Sequence, residues 1–115
     1  MSECLSRTEK LTKSSDFLRV KALGTSVKEN PFWLQVLKNQ KSVSRLGVIA
    51  TKRIGNAVSR NLAKRTVREI YRRNKGIIPV STDVVILPKK SIFLTKFSKL
   101  EKCFIHALSK ASNRL

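Results

Sequence analysis

Acidic residues are scarce. Seven Asp and Glu stand against 25 Lys and Arg, a formal net charge of +18. Such an excess repels itself and opposes compaction until a polyanion neutralises it. Nucleic acid is the first candidate for that polyanion, and an anionic membrane surface is the second. Glycine is also scarce, at four residues, and none sits in a loop of the kind that cradles a nucleotide's phosphates. The one histidine, His106, has no carboxylate or thiol at ligand spacing except Cys103 three residues before it. A packing or surface role is expected for it. Cys4 and Cys103 form no zinc or disulfide spacing, and a cytoplasmic protein is expected. Asp16, Glu69 and Asp83 are scattered along the chain, and there is no Ser/His/Asp set. The chain itself is therefore expected to hold no catalytic residue and to bind neither a metal nor any other cofactor firmly. No apolar run reaches the length of about 18 residues that a membrane span needs. The segment Met1 to Lys13 contains Glu3 and Glu9 and no apolar stretch, so it does not read as a secretory signal.

What is present suffices for one small folded domain, residues 1–115, since 41% of the chain is hydrophobic. Ser14-Ser15-Asp16 offers capping side chains for a short helix that Gly24 can end. Thr25 to Lys38 contains Phe32-Trp33-Leu34-Gln35-Val36-Leu37, which suits a strand interrupted upstream by Pro31. Asn39 to Ser44 reads as a hairpin loop, and Arg45 to Thr51 reads as the next strand. Gly55-Asn56 breaks it. Ala57 to Asn74 reads as a helix closed by Gly76. Asp83 to Leu87 is an apolar run of strand length that Pro88 stops. From about Thr95, Phe97, Leu100, Phe104, Ala107, Leu108 and Ala111 recur at helical spacing. These segments predict an α+β sandwich of three helices and about four strands in the order αβββαβα.

The segment from Ala57 carries the strongest functional pattern. At about 100° per residue, Asn61, Lys64, Arg65, Arg68 and Arg72 fill one arc of the helix roughly 100° wide, with Arg60 at its border. Ala63, Val67 and Ile70 form a separate stripe that predicts the core-facing side. Arg60/Lys64, Lys64/Arg68 and Arg68/Arg72 are like-charged pairs four residues apart, which destabilise an isolated helix. A phosphate backbone would reverse that repulsion, and guanidinium groups add bidentate phosphate geometry. Lys52 and Arg53 precede the helix start, where free N–H groups also favour phosphate. A solvated positive face without a ligand would more often mix signs. A helix-turn-helix DNA reader would need a helix where the preceding segment reads as strand.

The run Thr51-Lys52-Arg53-Ile54-Gly55-Asn56-Ala57-Val58-Ser59-Arg60-Asn61-Leu62-Ala63-Lys64-Arg65-Thr66-Val67-Arg68-Glu69 resembles the signature of the bacterial ribonuclease P protein subunit. The resemblance extends to Leu11, Asp16-Phe17, Val20, Gly24-Thr25-Ser26, Arg45-Leu46-Gly47 and the segment Asp83 to Leu87. It implies a left-handed crossover from the strand at Leu46–Thr51 through the basic helix to that at Asp83–Leu87. It also implies a protein cofactor of an endoribonuclease that removes the 5′ leader of precursor tRNA. The active site would lie in the catalytic RNA, with Mg²⁺ held mainly by RNA. The partners would be that RNA and precursor tRNA, with no membrane and no obligate protein partner. Arg60, Asn61, Lys64, Arg65 and Arg68 would contact the catalytic RNA, while Phe17, Ser26, Phe32 and Lys52 would line or border a leader cleft on the sheet. Aromatics suit such a cleft because unpaired bases stack on them. Three positions depart from the pattern. Leu62 stands where another arginine is usual, and Lys21 and Gln35 occupy positions that are often aromatic. Trp33 is expected to point to the face opposite the cleft. The alternatives are a structural RNA-binding protein of ribosomal type and a protein-only nuclease, the latter disfavoured by the lack of an acid cluster.

Overall fold

The computed structural model describes residues 7–114, so Cys4 and the first residues of the N-terminal segment lie outside the described residues. Three helices and four strands follow the expected order. They are α1 (Ser14–Leu23), β1 (Thr25–Lys28), β2 (Phe32–Lys38), β3 (Arg45–Val48), α2 (Ala57–Arg73), β4 (Thr82–Pro88) and α3 (Phe97–Ser112). They form a single α+β domain around one sheet, in the strand order β1-β2-β4-β3. β1 and β4 each pair antiparallel with β2, and β3 pairs parallel with β4.

Alternation along β2 sorts the two faces. Phe32, Leu34 and Val36 are buried with Val27, Leu46, Val84 and Ile86 against α2 and α3, forming the main core. Trp33, Gln35 and Leu37 point to the other face, where Val85 joins Leu11 and Val20 in a smaller cluster with Phe17, Ile49 and Leu87 packed on it. The chain can build both layers because β4 is apolar on both sides, as a central strand requires.

Several expectations need correction. Asn39 to Ser44 is not a hairpin loop, because β4 lies between β2 and β3. That loop is instead anchored by Asn39, whose amide donates to Asp83 Oδ1 at 2.8 Å and to the Val43 carbonyl at 3.2 Å. The long segment Thr25 to Lys38 is two strands of a hairpin turning before Phe32. β3 ends at Val48, and a 3₁₀ turn, Lys52–Ile54, follows. The α1 cap position is Lys13, with no side-chain cap bond. Asp16 faces Arg45 instead, at 3.3 Å. Arg45 also forms a buried two-pronged ion pair with Asp83, at 2.8 and 2.7 Å. Hydrogen bonding to Asp83 raises the Arg45 pKa above its ordinary value despite burial. This pair and Asp16 tie α1 to the sheet.

Gly24 does end α1, but in extended backbone, its N–H donating to the Val20 carbonyl at 2.7 Å. A Cβ there would stand 2.5 Å from the Val20 carbonyl and 2.8 Å from the Val36 carbonyl, so the helix end and the close approach to β2 together demand glycine. Gly47 meets a similar limit, since a Cβ would collide with the Phe17 ring. Gly76 does not close α2. Asn74 does, its amide donating to the Ile70 carbonyl at 2.8 Å and to Glu101 at 2.9 Å.

Candidate nucleic-acid interface

α2 is started by Gly55 and Asn56. Gly55 adopts φ 144°, a conformation that side chains resist. Asn56 then accepts a hydrogen bond from the Ser59 N–H at 2.9 Å. From there Ala63, Val67, Ile70 and Tyr71 are buried against the sheet. The expected stripe is therefore real, with Tyr71 added to it. The opposite side carries the cations. Asn61, Arg65 and Arg68 are exposed, while Arg60 and Lys64 are half-buried. Among the described residues these four cations have no ion-pair partner. Arg72 shares the face but is engaged by Glu69, at 3.1 Å from Nε and 2.5 Å from Nη2. The hydrogen bond from Arg72 holds the Glu69 carboxyl below its ordinary value. Lys52 and Arg53 are both exposed in the 3₁₀ turn just before the helix.

A second surface lies on the sheet face that α1 only partly covers. It is a groove of about 630 Å³ between Trp33, Ile49, Leu87 and Pro88, edged by Arg53, Lys89 and Lys90. Trp33 is 37% exposed. The ammonium groups of Lys28 and Lys89 lie over its ring at 4.5 and 5.2 Å. Ser26 is on the same face and accepts a hydrogen bond from Gln35 at 3.2 Å. Phe17 is half-buried over Gly47 on that face.

Two expectations reverse here. Phe32 is 2% exposed and packs on the helix side of the sheet, so it offers nothing to a ligand in the groove. Trp33 is the aromatic that faces the groove. The missed signal was Gln35, which shares a face with Trp33 at a spacing of two and belongs on the wetter side. Lys52 is exposed but does not line the groove, whereas its neighbour Arg53 does. Lys28 and Lys89 gave no motif. Only folding brings them over one ring.

Among the described residues no group of three or more His, Cys, Asp or Glu could hold a metal ion. Burial, then the Glu29 carboxylate, lifts the Cys103 thiol above its ordinary value. His106 is exposed and lies 3.2 Å from Glu29, a surface contact.

Residues 5–112 match the family model described as Ribonuclease P. The ribonuclease P protein component of Thermotoga maritima is 41% identical over 92 residues, which is 80% of this chain and 79% of that protein. This chain belongs to the ribonuclease P protein family. The Streptococcus pneumoniae ribonuclease P protein component is 32% identical over 99 residues, covering 86% of this chain and 80% of its own length. The solved structure of the Thermotoga maritima RNase P protein matches with a TM-score of 0.80 at 35% identity, over 89% of this chain and 96% of that one. A Staphylococcus aureus RNase P protein structure gives 0.79 at 27% identity, over 90% of this chain and 94% of that one. The family places the chain in the ribonuclease P holoenzyme, with an RNA partner. Among the described residues, no helix of this ribonuclease P protein is long and apolar enough to cross a membrane.

Proposed function

We propose that this chain binds the catalytic RNA of a bacterial ribonuclease P through the α2 face and holds the 5′ leader of precursor tRNA in the sheet groove. The observation that carries this reading is the set Arg60, Lys64, Arg65 and Arg68. They sit around Asn61 on one side of a helix whose other side is locked in the core, and no ion pair within the described residues satisfies them. Four unpaired cations at fixed spacing match a run of phosphates. Lys52 and Arg53 extend the positive surface toward the groove. There Trp33 can stack on an unpaired base, while Lys28, Lys89 and Lys90 meet the leader's phosphates. Phe17 and Ser26 border the same path.

In this reading the protein contributes binding and placement. The hydrolysis of the leader's phosphodiester occurs in the RNA, which also holds the Mg²⁺, in the cytoplasm. The test is reconstitution with a transcribed bacterial ribonuclease P RNA at low Mg²⁺. The chain alone should leave precursor tRNA uncut, and the mixture should release the leader faster than the RNA alone. No stimulation of cleavage, or tighter binding to ribosomal RNA fragments than to ribonuclease P RNA, would overturn the proposal.

A further inference from the structure

Next to the cationic face, α2 carries an apolar feature that phosphate binding does not use. Leu62 is 47% exposed, in the middle of the basic helix. It does not lie alone. With Ala63 and Thr66 it forms one wall of a pocket of about 250 Å³ whose other walls are Ile92, Phe93, Thr95, Phe97 and Leu100. Phe93 sits at the rim with 38% of its surface exposed. An apolar cavity of about 150 Å³ is enough to take up benzene, so this one admits a flat aromatic ring.

The hydroxyl protons of the wall are already used. The Thr66 hydroxyl donates to the Leu62 carbonyl at 2.9 Å, and the Thr95 hydroxyl donates to the Ser91 carbonyl at 2.7 Å. The pocket therefore offers mainly apolar side chains and no free hydroxyl donor. Its surroundings are positive. Arg65 is one turn from Leu62, and Arg73 lies over the Phe97 ring at 5.1 Å. The nearby carboxylates are engaged, Glu69 by Arg72 and Glu101 by Asn74 and Arg73. An apolar slot whose Leu62 edge lies one helical turn from the unpaired Arg65 suits a group that is flat and apolar on its surfaces and attached to an anionic chain.

We infer that the Leu62–Phe93 pocket takes one unpaired nucleobase of the RNA bound along α2, stacked on Phe93 without regard to base identity. This rests on the reading of α2 as the RNA-binding face. It also gives a role to Leu62, an apolar residue left exposed within the basic helix.

The test is a binding titration of the full chain with a transcribed bacterial ribonuclease P RNA at several salt concentrations, using Phe93→Leu, Phe93→Trp and Arg65→Ala. A stacked base releases no counterion, so Phe93→Leu should weaken binding roughly tenfold with an unchanged salt slope. Phe93→Trp should restore the affinity. Arg65→Ala should weaken binding and also flatten the slope. Circular dichroism and the melting temperature verify the fold of each variant, and Phe93→Leu keeps the site apolar. Three results would overturn the pocket's assignment while leaving the α2 reading intact. They are affinity of Phe93→Leu within twofold of the parent, a changed slope in that variant, or evidence from sedimentation that the free protein is a dimer which Phe93→Leu dissociates. An unchanged affinity in Arg65→Ala would instead remove the α2 reading, and the pocket's assignment with it.

Discussion

Tyr71 shows how much a single buried group reports about this fold. It is the only tyrosine in the chain, and it closes the core stripe of α2 beneath Glu9 and Lys75, which pair at 2.7 Å. Burial, then the carboxylates of Glu9 and Asp83, push its hydroxyl well above the ordinary 10.0. The folded state therefore binds this proton more tightly than the unfolded chain does. Its contribution to stability is complete below about pH 10 and declines as pH rises toward the folded value. An alkaline titration should show phenolate absorbance appearing only together with unfolding. Ionisation near pH 10 with the far-ultraviolet spectrum intact would contradict this burial. Its spacing of four from Val67 and eight from Ala63 fits a core face, but the stripe of Ala63, Val67 and Ile70 is too narrow to include it. Phe32 and Trp33 pose the same problem. Both are aromatic, both suit a strand, and only the identity of neighbours two positions away separates the buried ring from the open one.

At the scale of elements, α2 combines two faces that depend on each other. Ile70 and Val67 fix its rotation against the sheet, and that rotation is what aims Arg65 and Arg68 outward. The helix was legible because its periodicity is complete within one segment, whereas its Asn56 cap emerges only in the structure. The partner of β3 was not. β4 pairs with it across 38 positions, and a loop between two apolar runs reads as a hairpin whether or not a third strand enters. For α1, the capping residues were present, but Asp16 satisfies a buried arginine rather than a helix end. A quantitative consequence belongs to α2. If about five phosphates are neutralised there, log K against log salt should fall with a slope near −3.5 to −4.5. Replacing Arg68 with alanine should weaken RNA binding and make that slope shallower by roughly 0.7 to 0.9. A variant that binds as the parent does, with the same slope, would exclude Arg68 from the contact.

For the molecule as a whole, the charge stands out against the compactness. A net charge of +18 is held within a radius of gyration of 13.1 Å, close to the value of about 13 Å usual for a domain of this size. Mutual repulsion therefore acts over distances comparable to the screening length of about 10 Å at 0.1 M salt. The melting temperature should rise as monovalent salt increases from low concentration to about that level, and rise further with a polyanion such as heparin, which binds only the folded array tightly. A melting temperature indifferent to both would mean that the cations are balanced within the fold. The central position of β4 has a further consequence for the growing chain. The β1–β2 hairpin and β3 share no ladder, and β4 alone joins them. Any nascent chain that stops before Thr82 already carries every cation of α2 but has no completed sheet to orient them. The last strand is thus the step at which loose positive charge becomes a shaped surface.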